Sequence, residues 1–300
     1  MENDSLFSHF WKILRPGKLG LMVGTYLLGI SLVHYLGGSL NLAKLFIGLL
    51  LTMLIFELNP FLSAYFDHPE SVYSRLEPSD PDWEMLIKIK RPLLLQVSLV
   101  LLASVALLTL LLVWNQHLTA AGVLLITLSL LLNLFPLVAA FRVNQNLYRH
   151  LIEAIYIANL VPAMAFAILD GSVSPLLVEL TLPLTLLFLA MCLALDLAEY
   201  GFDTMHGRQS LITGIGWQRG IRLHNLLVLG TFLLAGIFTV TASIWSITWP
   251  MFLSLPIGVL QILEVQRIGE GARPIWKLLK WGAIGFFLMV VYLLIISLWL

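Results

Sequence analysis

The chain has 300 residues, of which 59% are hydrophobic and only 11% are charged. A soluble domain carries about 25% charged residues, so this composition excludes an ordinary water-soluble protein, and the formal net charge of zero argues against a nucleic-acid partner. Apolar stretches recur from end to end, each long enough to cross a hydrocarbon core of about 30 Å. We therefore expect an all-α integral membrane protein in the lipid bilayer, with a single domain over residues 1–300.

The pattern of apolar stretches predicts nine transmembrane helices. The N-terminal segment has no small-residue cleavage site, and the apolar stretch after it is too long for a signal peptide, so we expect a retained first span. The nine predicted spans are Leu19–Tyr35, Leu40–Leu62, Pro92–Trp114, Leu118–Phe141, Leu151–Leu169, Pro175–Leu197, Gly220–Ala242, Ile247–Val265 and Trp276–Trp299.

The basic residues predict how the chain is oriented. With nine spans, 16 of the 17 Lys and Arg residues fall on one side, and the exception is Lys44. Under the positive-inside rule, this side is cytoplasmic and includes the N-terminus. The long loops lie on the same side, so we expect the polar chemistry there. The expected location is the bacterial inner membrane, crossed many times.

The sixth predicted span ends in three carboxylates, Asp196, Glu199 and Asp203. Their i, i+3, i+7 spacing places all three on one face of a helix. Like charges on one face repel unless a positive partner is present, and Mg²⁺ is suited to this role because it prefers oxygen ligands. The alternative is that these are interfacial residues facing water. A carboxylate inside a span is costly, which favours a functional role.

A second polar face ends the second predicted span, where Asn59, Ser63, Asp67 and Glu70 share one side of the helix. Only Asp67 and Glu70 are acidic, so this face is either a plain helix end or part of a metal site. Because both polar faces end even-numbered spans, the topology places them on the same side of the membrane. This symmetry suggests two halves built around a shared site.

Several motifs resemble the UbiA superfamily of membrane prenyltransferases, and the resemblance covers nearly the full chain. The opening Leu14-Arg15-Pro16 is similar to the start of that family. The run Asp196-x-x-Glu199-x-x-x-Asp203-x-x-x-Gly207-Arg208-x-Ser210-Leu211 is similar to its second aspartate motif, with Glu199 in place of an aspartate. Phe135-Pro136, followed by Arg142 and Glu153, resembles a further stretch of the family. Nine spans with a cytoplasmic N-terminus is also its architecture.

The first aspartate motif of the family, Asn-Asp-x-x-Asp-x-x-x-Asp, is incomplete in this chain. One register keeps only Asp67, as the middle aspartate. Another register keeps Asn59 and makes Asp67 the last aspartate. Neither register restores the full set, although Glu70 lies close enough in sequence to replace one ligand.

The resemblance implies a UbiA-like bundle with a lateral cavity that takes a prenyl diphosphate and a membrane-soluble acceptor. The implied metal ligands for Mg²⁺ are Asp67, Glu70, Asp196, Glu199 and Asp203. The implied diphosphate-binding residues are Arg142, Arg208, Arg75 and Asn59. The implied catalytic residues are Asp67, Asp196, Asp203 and Arg142.

Two functional hypotheses follow from the altered first motif. In the first, the protein is a Mg²⁺-dependent prenyltransferase that moves an isoprenoid group onto an apolar acceptor. In the second, it is a non-catalytic relative that binds a prenyl lipid, a pigment or a partner protein. Loss of carboxylate ligands weakens a Mg²⁺ site, which favours the second hypothesis. Retention of Asp196 and Asp203 favours the first.

Overall fold

The structure is a computed structural model, and the regular elements it describes are all helices. The described residues are 6–71, 81–115, 118–137, 145–205, 210–242 and 244–300. Short helices at Leu6–Ile13, Pro81–Ile87 and Leu211–Ile215 lie between or before the longer ones.

Within the described part of the chain, nine helices are long and apolar enough to cross a membrane. They are numbered span 1 to span 9 in chain order: Pro16–Tyr35, Leu42–Asp67, Arg91–Trp114, Ala120–Leu137, Tyr148–Asp170, Pro175–Met205, Trp217–Thr241, Trp245–Gly269 and Trp276–Trp299. The prediction of nine membrane-spanning helices is therefore confirmed. The protein is a multi-pass membrane protein.

Two spans extend further than their apolar sequences predict. Span 2 ends at Asp67 instead of Leu62, and span 6 ends at Met205 instead of Leu197. Span 6 has 31 residues, or about 46 Å of helix at 1.5 Å per residue, which exceeds the hydrocarbon thickness. Both helices therefore carry their acidic ends beyond the apolar layer. The predicted end of span 4, Phe141, lies outside the described residues.

Span 5 forms the centre of the bundle. In its apolar window 83% of the residues are buried, against 17% in span 3, which is exposed along most of its length. Small side chains allow close packing around span 5, as is usual where the lipid supplies no hydrophobic drive between helices. Gly29 of span 1 lies directly against Pro162 and Ala165 of span 5. Spans 1, 2 and 6 pack around this centre.

Span 5 contains an irregular turn, a π-helix over Ile155–Leu160. Pro162 follows it at the start of the next regular segment. A proline has no N–H to donate to the carbonyl of the preceding turn and crowds that carbonyl. The wider π-turn absorbs the resulting break in the hydrogen-bond ladder. The apolar pattern of the sequence did not predict this feature.

Spans 1 and 9 are joined at the end of the bundle opposite the chain's N-terminus. The indole N–H of Trp299 donates to the hydroxyl oxygen of Ser31 over 2.9 Å. The ring of Trp299 also stacks on His34, with the ring centroids 3.9 Å apart. These contacts fix span 9 beside span 1.

The close approach of spans 1 and 5 is testable by adding one methyl group. A Cβ on Gly29 would lie 2.3 Å from the carbonyl oxygen of Pro162, so Gly29→Ala forces the two helices apart. We expect Gly29→Ala to lower the unfolding free energy by about 1–3 kcal/mol, measured by thermal unfolding in detergent. Gly24→Ala on the same span is the control, because its Cβ would make ordinary contacts at 3.7 Å. Equal stability of the two variants would contradict this packing.

Candidate functional site

A cluster of charged side chains lies where spans 1 and 5 begin, and Glu153 is at its centre. Lys18 Nζ lies 2.6 Å from both carboxylate oxygens of Glu153. The Arg149 Nε atom lies 3.3 Å from Oε1, one helical turn away in span 5. Arg15 Nη1, which immediately precedes span 1, lies 3.5 Å from the same oxygen. The Glu153 side chain is only 10% exposed, so these cations neutralise a carboxylate that has lost most of its water.

His150 connects this cluster to span 6. Its Nε2 atom lies 3.0 Å from both oxygens of Asp196. Because an ionised carboxylate only accepts hydrogen bonds, Nε2 is the donor in this pair. The other ring nitrogen, Nδ1, lies 3.7 Å from Glu153 Oε2. Spans 1, 5 and 6 therefore share one network, which we call the ion-pair cluster: Arg15, Lys18, Arg149, His150, Glu153 and Asp196.

Arg15 has a strained backbone. Its φ of 46° and ψ of 59° place it in the left-handed region, and it is the only non-glycine residue with positive φ among those described. The next residue is Pro16, which normally pushes the residue before it towards extended conformations. Such strain persists where the surrounding structure enforces it, and it is common at functional sites. Here it accompanies the contact of the guanidinium with Glu153.

Glu57 of span 2 is a second buried acid near this end of the bundle. It is 5% exposed, and neither carboxylate oxygen has a hydrogen-bond partner among the described residues. The cation Arg15 lies within electrostatic range of its carboxyl group, and Tyr156 of the π-helix donates to the carbonyl oxygen of Thr52 in the same span. The Tyr156 ring stacks on Phe56, with the ring centroids 5.8 Å apart. Glu57 is thus close to spans 1 and 5.

The three predicted metal ligands of span 6 have different surroundings. Asp196 belongs to the ion-pair cluster. The Glu199 carboxylate is more than half exposed and lies 2.9 Å from Lys280 Nζ of span 9. Asp203 is buried near the end of the helix. Asp196 and Glu199 therefore have different partners, which are His150 and Lys280, although their spacing predicts one shared helix face.

The predicted site residues of span 2 are also separated from one another. The Asn59 side-chain amide donates to the carbonyl oxygen of Asn133 in span 4, and its Oδ1 accepts from Ser63. Asp67 is the last residue of the span. Glu70 lies in the turn that follows and is largely exposed. Asn59 therefore helps join spans 2 and 4, about two turns from the acidic end.

His68 holds the turn after span 2. Its Nδ1 accepts from the backbone N–H of Glu70, so its Nε2 is protonated and donates to the carbonyl oxygen of Ile89 over 2.8 Å. Both ring nitrogens are engaged with backbone groups. His68 is therefore a structural residue in this turn.

The ion-pair cluster does not have the donor set that Mg²⁺ prefers. Ligand atoms of His150, Glu153 and Cys192 lie within 4.8 Å of one another, but Mg²⁺ prefers a shell of oxygens. Lys18 already contacts both oxygens of Glu153. A metal ion at this point would have to displace that ammonium group. The residues of the cluster therefore do not fit Mg²⁺.

Three predicted arginines, Arg75, Arg142 and Arg208, lie outside the described residues. The basic residues that the structure brings together are Arg15, Lys18 and Arg149. In the sequence, all three contribute to the one-sided positive charge, and Arg15 also belongs to the run Leu14-Arg15-Pro16. One signal in the sequence could have identified this cluster. Lys18 lies in the first turn of a span and Glu153 lies within another, and charged residues inside spans usually have partners.

Comparisons with known proteins give no match. No family model matches the chain, and no curated protein sequence is significantly similar to it. The proposed function of the protein is therefore argued from the residues of the site and their contacts.

Removal of the Glu153 charge tests the importance of the ion-pair cluster. Glu153→Gln leaves Lys18 and two arginines without their shared carboxylate, and breaking a buried ion pair typically costs about 3–5 kcal/mol. We expect a correspondingly lower unfolding midpoint in thermal denaturation of detergent-solubilised protein.

The matched control for that variant is Glu199→Gln, which removes an exposed partner of Lys280 and should cost no more than about 1 kcal/mol. A Lys18→Met/Glu153→Leu double variant should recover part of the loss, because the least exposed cation is removed together with the carboxylate, while Arg15 and Arg149 can still reach water. If Glu153→Gln and Glu199→Gln unfold at the same temperature, the cluster does not hold these spans together.

Proposed function

We propose that this protein is an intramembrane prenyltransferase that moves an isoprenoid group from a prenyl diphosphate to an apolar, membrane-soluble acceptor. The observation that supports this most directly is the ion-pair cluster. Three cations, Arg15, Lys18 and Arg149, meet at one end of an otherwise apolar bundle. A ligand with an anionic head and a hydrocarbon chain matches that distribution of charge.

The proposal includes an orientation and a location. The end of the bundle that carries the cluster is taken as cytoplasmic, because the nine spans leave 16 of 17 Lys and Arg residues on that side. The membrane is taken as the bacterial inner membrane. The motifs around Asp196 and Asp203 support a UbiA-like arrangement of the spans.

The acidic residues of spans 2 and 6 lie at two levels along the bundle. Asp67 is ten residues beyond Glu57, or about 15 Å along the helix, and Asp203 is seven residues beyond Asp196, or about 10 Å. We assign Asp67 and Asp203, with Glu70 and Glu199 near them, to Mg²⁺ and the diphosphate. The deeper level, with Glu57 and Asp196, then faces the reacting carbon and the acceptor.

The chemistry requires charge to be stabilised as it develops. When the carbon–oxygen bond of an allylic diphosphate breaks, negative charge builds up on the leaving group. Bound Mg²⁺ supplies Lewis-acid stabilisation of that charge. Fixed cations do the same, and they act more strongly where water is excluded. Arg15 and Lys18 are held in place by Glu153, so they need little reorganisation.

A second candidate function is non-catalytic binding of a prenyl lipid, a pigment or a partner protein. The observation that favours it is the pairing of carboxylates with protein cations, at Glu153, at Asp196 and at Glu199.

Mg²⁺-dependent binding of prenyl diphosphates separates the two candidates. With the protein in nanodiscs, we expect a series of prenyl diphosphates to bind only when Mg²⁺ is present. Asp203→Asn should weaken binding by about tenfold or more, the usual effect of losing a charged contact.

Asp170→Asn is the matched control, because Asp170 ends span 5 on the opposite side of the bundle. It should bind like the wild type. Binding that ignores both Mg²⁺ and Asp203 would contradict the enzyme and favour the non-catalytic lipid-binding protein. Absence of any binding would contradict a prenyl diphosphate site altogether.

A further inference from the structure

The carboxyl group of Glu57 lacks a partner that a buried acid requires. It lies within the 26-residue helix of span 2, is 5% exposed, and neither oxygen has a hydrogen-bond partner among the described residues. A buried polar group without a hydrogen bond costs free energy. Ionisable residues inside membranes are therefore rare, and they commonly mark functional sites.

The bundle contains donors near Glu57, but they are engaged elsewhere. The hydroxyl of Tyr156 donates to the carbonyl oxygen of Thr52 over 2.7 Å. The side-chain amide of Asn59 donates to the carbonyl oxygen of Asn133. Both donors satisfy backbone acceptors on neighbouring turns or helices. The group missing at Glu57 is thus specific: it is a hydrogen-bond donor.

Two costly backbone features adjoin the same carboxyl group. Arg15, at the start of span 1, has the left-handed conformation before Pro16. Tyr156 belongs to the π-helix of span 5. Arg15 lies within electrostatic range of the Glu57 carboxyl group, and the Tyr156 ring stacks on Phe56, the preceding residue of span 2. Spans 1 and 5 therefore each contribute one irregular backbone feature near Glu57, and π-turns and strained residues are retained mainly where function requires them.

We propose that Glu57 binds the hydrogen-bond-donating group, a hydroxyl or an amine, of a membrane-soluble ligand that enters between spans 1, 2 and 5. This inference rests on the proposed function in one respect: the ligand is taken to be the acceptor. It narrows that acceptor to molecules that carry an O–H or N–H group. A pure hydrocarbon would leave the carboxyl group unsatisfied.

The position of Glu57 suits proton transfer during the reaction. It lies about 15 Å from Asp67 along span 2, a separation that would accommodate a diphosphate held by Mg²⁺ at Asp67. As the carbon–oxygen bond breaks, the diphosphate leaves with the bonding electron pair. A new bond forms between the allylic carbon and the acceptor, and the acceptor loses one proton. The Glu57 carboxylate receives this proton and becomes a carboxylic acid.

A matched pair of probes tests the missing donor. The probes are para-nonylphenol and its O-methyl ether. In the ether a methyl group replaces the phenolic hydrogen, so the ether cannot donate a hydrogen bond to Glu57. With the wild-type protein in nanodiscs, native mass spectrometry should show about tenfold or greater preference for the phenol. Glu57→Gln should reduce this preference, and Glu57→Leu should abolish it.

The controls separate a binding role from a folding role. Glu57→Leu removes the unsatisfied carboxyl group without leaving a polar atom behind, so this variant should fold. Glu179→Gln makes the same chemical change as Glu57→Gln, but near the first residues of span 6, at the end of that helix away from Asp196. This variant should keep the wild-type preference for the phenol. Equal binding of phenol and ether by the wild type, or a preference that survives in Glu57→Leu, overturns the inference.

The same samples keep this inference distinct from the proposed function. Mg²⁺-dependent binding of a prenyl diphosphate to the wild type measures the proposed function alone. A wild type that binds the diphosphate without preferring the phenol refutes the role of Glu57 and leaves the prenyltransferase proposal standing. A wild type that prefers the phenol through Glu57 without binding any diphosphate refutes the prenyltransferase and supports the donor-binding site.

Discussion

The desolvation of charge below the membrane surface is the constraint on which the arrangement of spans 1, 5 and 6 depends. A carboxylate that loses its water must gain partners, or its cost reaches several kcal/mol. Glu153 gains Lys18 from span 1 and Arg149 from its own helix, and His150 extends the network to Asp196. Removal of one charged side chain from the cluster leaves its partner buried and unpaired, at that free-energy cost. The three helices are therefore held in register at this end.

The ion-pair cluster contains more positive than negative groups. Arg15, Lys18 and Arg149 are all close to one carboxylate, and the other carboxylate, Asp196, contacts only His150 of this set. Low dielectric surroundings strengthen the field of such a group. An anionic ligand arriving at this end of the bundle would meet this field at the point where the apolar interior begins. Both candidate functions use this combination.

The membrane-spanning helices could be predicted from sequence because one physical quantity, the length of an apolar run, decides them. Trp276–Trp299 begins and ends as predicted. Spans 2 and 6 ran longer than predicted because polar residues can continue a helix once it leaves the apolar layer. The π-helix was missed because a single proline within an apolar run does not show how the backbone will adjust.

The side-chain partners at the site could not be predicted in the same way. Lys18 and Glu153 are 135 residues apart in sequence, and no local pattern connects them. The spacing of Asp196 and Glu199 indicates a shared helix face, but their partners depend on where spans 5 and 9 pass. Glu57 was visible as an acid within an apolar span. Its lack of a donor depends on the directions of Tyr156 and Asn59, which only the packed structure defines.

The link between Trp299 and Ser31 has a consequence for biosynthesis. Ribosomes deliver helices to the membrane one after another, so span 1 is inserted long before span 9 is made. The face of span 1 that Trp299 covers must then remain against lipid, or against other early helices, during most of translation. Contacts between sequence-distant segments form slowly because a long loop has to close. Assembly of this bundle is therefore completed by a late docking step, in which span 9 packs against span 1, a helix that was inserted much earlier.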